Sequence, residues 1–337
     1  MRPMEADRIT WSVHIACLFE VSTDKPGNVT WGKDFWDTRF VDFMASAIAV
    51  GPAFRHAAES PVGQIVYQAV HDTGRLANTN TNLGMILLLA PLARAAALGH
   101  PGGLRDGVRQ VLAGLTVEDA RQAFHAIRLA APGGLGRASS YDVRQQDVDI
   151  TLLEAMRLAQ DRDAVAREYV TDFAITFELG YASLARFWQE GHAFSDAVVQ
   201  TYLTILSQVP DTLIVRKKGW QAARDVSERA GAVLAAGGAL TESGRRALRE
   251  FDHAIRDPRH RFNPGTSAEQ VLISTNSRPV PWSDGPWFFS VARDEPPTNN
   301  LTYALRVRMF PTNVPLVTLL ANATPLSQAA STSRCWP

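Results

Sequence analysis

The chain has very little cysteine. Its two residues of that type, Cys17 and Cys335, stand almost a full chain length apart in 337 residues. They build no disulfide framework, and no Cys-x-x-Cys pair or Cys/His cluster offers zinc spacing. A reducing, cytoplasmic setting fits that usage, and there the sequons at Asn28 and Asn300 carry no glycan. Net charge is absent too, with 34 basic against 34 acidic side chains. That balance excludes the basic footprint of a nucleic-acid binder and a polybasic membrane surface. The N-terminus, "MRPMEADRITW", lacks the apolar core of a signal peptide. The most apolar run, "MILLLAPLARAAALG" from Met85, contains Pro91 and Arg94. It falls short of the ~18–20 residues that span a bilayer and reads as a buried helix.

Familiar catalytic signatures are missing as well. There is no HExxH, no GxSxG and no Walker loop, and "GKDFWD" has a Gly-Lys pair without the upstream glycine. His56, His71, His125 and His253 are scattered without metal spacing. Neither β-α-β alternation nor a fixed-period repeat occurs, which weighs against an α-solenoid.

What the chain has is helix. Hydrophobic residues make up 46% and charged residues 20%, enough for a substantial core. "FVDFMASAIAV" places Phe40, Phe43, Met44, Ala47 and Ile48 on one face. "TVEDARQAFHAIRLAA" opens with Thr116 as N-cap and Asp119 three residues on, a shortened capping box. "DRDAVAREYVTDFAITFELGY" predicts one helix from Asp161 with Val165, Tyr169, Phe173 and Phe177 as its stripe. "SDAVVQTYLTILSQV" starts at Ser195, and "GWQAARDVSERAGAVLAAGG" ends in a Gly-Gly stop. About ten helices are predicted in an all-α, bundle-like domain over residues 1–273. Residues 274–337 differ, with nine of the 19 prolines, no lysine and a strand-like "LTYALRVRMF", and read as an irregular appendage.

Five polar, Gly/Pro-bearing breaks each precede a helix start: "EVSTDKPGN", "LANTNTNLG", "APGGLGRASSYDV", "VPDTLIVRKKG" and "RFNPGTSAE". At one end of a bundle they would present helix N-termini, which attract anions.

The order of these breaks resembles the triphosphoribosyl-dephospho-CoA synthase family, in a divergent branch. "EVSTDKPGNV", Asp42 and Ser46 in "FVDFMASA", "NTNLG", "PGGLG", "PDTLIVRKKG" and "NPGTSAE" carry the resemblance over about residues 10–273. It implies an all-α enzyme that joins ATP to 3'-dephospho-CoA, or a similar coenzyme precursor, and expels adenine. Mg2+ is the implied ion, and ATP and dephospho-CoA the implied small-molecule partners. Departures are Glu269, where the family has aspartate, and the Pro-rich sequence after Ile273 in place of a closing apolar helix. They keep open a second reading, a helical nucleotide-binding protein without turnover, or a paralogue with another acceptor.

Under the first reading, displacing adenine from C1' needs a base, negative charge near an oxocarbenium-like centre, a held triphosphate and a protonated leaving group. Glu20 and Asp42 are the candidate catalytic carboxylates, and Asp42 and Asp211 the candidate metal ligands. Lys25 is a flexible point charge for phosphate, and Arg216 and Lys217 further cations. Ser22, Gly27, Asn28, Asn80, Asn82, Asn263 and Thr266 line the breaks. Gly133 and Gly134 offer a backbone N–H nest.

Overall fold

The computed structural model describes residues 1–77, 79–133, 141–144 and 147–275. Gly134 and everything from residue 276 on, including "LTYALRVRMF" and Cys335, lie outside the described residues. The fold is all-α. No strand occurs among the described residues beyond one isolated bridge between Thr30 and Lys33. In chain order the helices are α1 (Ala6–Ser22), α2 (Phe40–Ala49), α3 (Gly51–Arg55), α4 (Val62–Leu76) and α5 (Leu83–Leu98). Then come α6 (Leu104–Ala113), α7 (Val117–Ala130), α8 (Leu152–Ala159), α9 (Ala164–Val170) and α10 (Ala182–Gln189). The last are α11 (Phe194–Gln208), α12 (Thr212–Lys218), α13 (Trp220–Ala235), α14 (Glu242–Ile255) and α15 (Gly265–Thr275).

The apolar run from Met85 is the central helix, α5, buried on almost every face from Leu83 to Ala97. Among the described residues no helix is long and apolar enough to cross a membrane. Pro91 sits inside α5 and has no N–H, so the Leu87 carbonyl loses its partner one turn on. The fully buried Tyr169 hydroxyl donates to that carbonyl at 2.6 Å. A polar hole in the core is thereby closed from α9.

Local signals set several boundaries. Thr116 and Asp119 form the expected capping box, and the second Asp119 oxygen accepts from Gly63 N at 2.7 Å, tying α7 to α4. Two expectations are corrected. The helix predicted from Asp161 is three segments: α9, a π-helical turn Ile175–Tyr181, and α10. Asp172 and Phe173 have positive φ, and the buried Glu168 carboxylate accepts from Ile175 N at 3.0 Å and Thr176 N at 2.8 Å, capping the new segment. The first segment, α9, begins after its N-cap Asp163 rather than at Asp161, whereas α11 begins at Phe194, one residue before the expected Ser195.

Because Tyr169 and Pro91 serve one carbonyl, their substitutions should couple. Tyr169→Phe should cost about 1–3 kcal/mol in chemical denaturation. In a Pro91→Ala background, where Ala supplies the missing N–H, the same change should cost measurably less. Equal costs in the two backgrounds would show that Tyr169 acts only by packing.

Candidate functional site

The first break turns inward. Lys25 is fully buried, its ammonium donating to the Glu20 carbonyl and, at 3.4 Å, to the Thr23 carbonyl. Its Nζ also lies 3.6 Å from Glu20 Oε1. Burial pushes the Glu20 carboxyl up and the Lys25 ammonium down from their ordinary values, and their mutual attraction opposes both shifts. Lys25 is therefore a strut that orients Glu20, not the flexible point charge for phosphate expected from the sequence. Ser22 is exposed at the end of α1. Gly27 has φ of 75°, and a Cβ there would stand 2.6 Å from Ile255 Cδ1 and 2.9 Å from Pro264 Cδ, so the turn needs glycine.

The fifth break docks on the first. Asn263 Nδ2 donates to Gly27 O at 2.9 Å and to Asn28 Oδ1 at 2.8 Å. Asp252 accepts from Gly27 N at 2.7 Å, and Arg256 donates to Asn28 O at 2.6 Å. The fourth break joins through Asp211, which is 1% exposed. Its Oδ1 accepts from Leu213 N at 2.9 Å and Ile214 N at 3.2 Å, capping α12. Its Oδ2 accepts from Ser267 N at 2.7 Å and Ser267 Oγ at 2.9 Å, in the first turn of α15. Burial still pushes the Asp211 carboxyl up, against the pull of these donors. Beside it, Thr212 Oγ1 reaches Thr266 Oγ1 at 3.5 Å.

The second break opens a cleft. Asn80 Oδ1 accepts from Leu83 N at 3.2 Å and caps α5. Asn82 is buried in the N-cap position, yet its Nδ2 has no hydrogen-bond partner. Ser46 Oγ lies 2.5 Å from Thr81 Oγ1, fixing α2 against this break. Cys17, Glu20, Phe43, Thr81, Asn82 and Met85 line a narrow cleft with about 10 Å³ of free space. Burial, with the nearby Glu20 charge, pushes the Cys17 thiol up to about 12, so it is no nucleophile here. Asp42 sits one turn before Ser46 and accepts from Arg39 N at 2.8 Å, as the capping acid of α2.

The cations of α12 border the same region. Arg216 pairs with Asp163 at 2.6 Å, while its buried Nε has no partner. Lys217 donates to the His260 carbonyl at 3.2 Å, and His260 in turn meets Asp37 at 2.8 Å and stacks on Phe35. Glu269, on α15, is half-buried. A Cβ at Gly84 would overlap its carboxyl, so glycine in the first turn of α5 lets Glu269 approach. Burial, and then the Glu20 charge, push Glu269 up to about 8, opposed by Arg216.

Thus four of the five breaks meet around the start of α15. Gly133 is linked to them by no described contact, and Gly134 lies outside the described residues. Among the described residues no group of three or more His, Cys, Asp or Glu side chains could hold a metal ion. Both Asp211 oxygens are taken by donors and Asp42 faces Arg39, so these residues do not fit a resident Mg2+ site. Sequence reasoning missed Thr81, Tyr202, Asp252 and Arg256 as parts of the junction. Tyr202 donates to Pro26 O at 2.7 Å from a helix interior, where periodicity marks only core.

Asp211→Asn should destabilise the fold by about 2–4 kcal/mol, because an amide turns one oxygen into a donor facing Ser267 N–H. Denaturant unfolding checks this. A midpoint equal to that of the unaltered protein would mean that the carboxylate does not cap both helices.

Three comparisons bear on identity. The chain is 29% identical over 222 residues to a Pseudomonas fluorescens protein assigned as 2-(5''-triphosphoribosyl)-3'-dephosphocoenzyme-A synthase, covering 62% of this chain and 68% of that one. It is 24% identical over 310 residues to the Klebsiella pneumoniae synthase of that name, covering 81% and 91%. An Archaeoglobus fulgidus crystal structure assigned as a triphosphoribosyl-dephospho-CoA synthase superposes with a TM-score of 0.53 at 28% identity, over 69% of this chain and 95% of that one. The family model for ATP:dephospho-CoA triphosphoribosyl transferase matches residues 6–275, and the chain, a member of a transferase family of coenzyme biosynthesis, belongs to that family.

Proposed function

We propose that this chain transfers the triphosphoribosyl group of ATP to 3'-dephospho-CoA and releases adenine. The observation that carries the residue assignment is the cleft, where Glu20 lines the same wall as the unpartnered Asn82 amide. An unpaired buried donor is costly unless a ligand engages it. Glu20, held by Lys25, removes the proton of the attacking hydroxyl and faces the positive charge that develops at C1'. Asn82 and Thr81 position the nucleoside of ATP. The triphosphate lies toward Arg216 and Lys217, whose charges neutralise it. In this reading Gly27, Asn28, Asn263, Thr266 and Asp211 are scaffold, and Lys25 acts through Glu20.

Magnesium enters on the triphosphate rather than on a protein site, in keeping with its preference for phosphate oxygens and water over all-protein cages. A cytoplasmic location goes with ATP as donor and with the free, buried Cys17. The reading without turnover is the weaker one, because a binding module has no need of a carboxylate held at the cleft wall by a buried cation.

The test is chromatography for free adenine after mixing the full chain with ATP, Mg2+ and dephospho-CoA, with mass spectrometry of the adduct. Adenine and adduct should appear in equal amounts. Glu20→Gln should lower kcat by about 10²-fold or more. Asn82→Ala should raise the KM for ATP about tenfold, the equivalent of ~1.4 kcal/mol. Adenine release that does not depend on the acceptor, or none at all, would remove the assignment.

A further inference from the structure

We infer that Glu269 is a second catalytic carboxyl, the acid that protonates the departing adenine. This rests on the proposed transfer reaction and extends it to a residue in the first helical turns of α15.

Most acids near the junction are already engaged. Asp211 accepts four hydrogen bonds, Asp163 holds the start of α9 and Arg216, and Asp252 holds Gly27, Lys33 and Arg256. Asp42 holds Arg39, and Glu20 holds Lys25. Glu269 alone in this set has no hydrogen-bond or ion-pair partner among the described residues. It is nonetheless packed against Gly84 in the first turn of α5, between Asn82 and Met85 of the cleft wall. A second observation points to a ligand two residues from Gly84: the buried Asn82 amide, 5% exposed, lines the cleft with an unpartnered Nδ2.

The surroundings set which acid carries the proton. The charged groups that face Glu269 are Glu20 from α1, Asp211 and Arg216 from α12, and Asp163 before α9. From α5 it meets Gly84, and the acids of α11 and the π-helical turn, Asp196 and Glu178, are paired with Arg245 and Arg105. Burial first, then Glu20, Asp211 and Asp163, push its carboxyl up to about 8 against the pull of Arg216, which favours the protonated form at neutral pH. Glu20 has Lys25 as a private counter-ion and serves as the base.

The step balances. The C1'–N9 bond of ATP breaks with its electron pair passing to adenine, and a lone pair of the acceptor hydroxyl forms the new C1'–O bond. The hydroxyl proton goes to Glu20, and the Glu269 proton goes to the adenine, which leaves neutral. A proton then returns from Glu20 to Glu269, directly or through water, and both carboxyls are reset.

The experiment uses the full chain, Glu269→Gln and Glu269→Asp, with adenine release from ATP and dephospho-CoA followed from pH 6 to pH 9.5. In the unaltered protein kcat should fall as pH rises through about 8, where the acid is lost. Glu269→Gln should lose about 10²-fold or more in kcat with the KM for ATP little changed, and its alkaline fall should vanish. Glu269→Asp should recover part of the rate and keep the fall. Thermal melting gives a readout free of turnover. A carboxyl whose folded pKa is raised stabilises below its unfolded value near 4.5, and that contribution is lost as pH rises through about 8. Glu269→Gln should therefore melt higher than the unaltered protein at pH 9 and nearly the same at pH 4.5. A Gln variant with more than a third of normal kcat, or a melting difference that does not change with pH, overturns the inference and leaves the transfer reaction standing. No adenine from the unaltered protein overturns both.

Discussion

The start of α15 can lie where it does only because one buried carboxylate serves two helices. Asp211 gives one oxygen to the first turn of α12 and the other to Ser267 in α15. Helix N-termini leave several N–H groups without partners, and burying two of them side by side would be prohibitive without an acceptor between them. Everything near the cleft follows from that placement. With α15 fixed, Asn263 reaches the Gly27–Asn28 turn, Glu269 reaches Gly84, and Thr266 meets Thr212.

The same constraint explains why so much polar chemistry is collected in the breaks. Most of it is consumed by neighbouring breaks rather than offered to solvent. Asn28, Asn263, Asp252 and Arg256 form one closed set of donors and acceptors around the first turn. A network of that kind is stable only when its members are satisfied, and the few that are not stand out. Asn82 Nδ2, Arg216 Nε and the Glu269 carboxyl are such groups, and they border the same region of the junction.

How far this was legible in the sequence depended on range. Thr116 and Asp119 are three residues apart, and their capping box was readable because both partners lie within one turn. Asn80 as a cap was readable for the same reason. That α9 ends early was not, since the cause is the Glu168 carboxylate folding forward to take two N–H groups from a new segment. A stripe of Val165, Tyr169, Phe173 and Phe177 looks continuous whether or not the backbone breaks between Tyr169 and Phe173. Lys25 looked like a phosphate ligand because a Pro-Gly-Asn turn lets backbone and side chains approach a bound group. Its burial is imposed by α14 and α15 closing over the turn, more than 200 residues away.

The contrast between Glu20 and Glu269 shows how one fold gives two carboxyls opposite electrostatic surroundings. Glu20 is buried and Glu269 half-buried, and desolvation pushes both carboxyls up. Lys25 sits 3.6 Å from Glu20 and has no competing acid as near, so the ion pair opposes that penalty and favours the charged form. Glu269 has only Arg216 on the favourable side, and Arg216 is already held by Asp163 at 2.6 Å, while the Glu20 charge itself works against a second anion. Negative charge on Glu20 pushes Glu269 further up, and the asymmetry between the two originates in one buried lysine. Removing that lysine would take from Glu20 the ion pair that opposes its desolvation. A buried cation five residues from Glu20 is therefore as much a part of the site's chemistry as the carboxyls it sets apart.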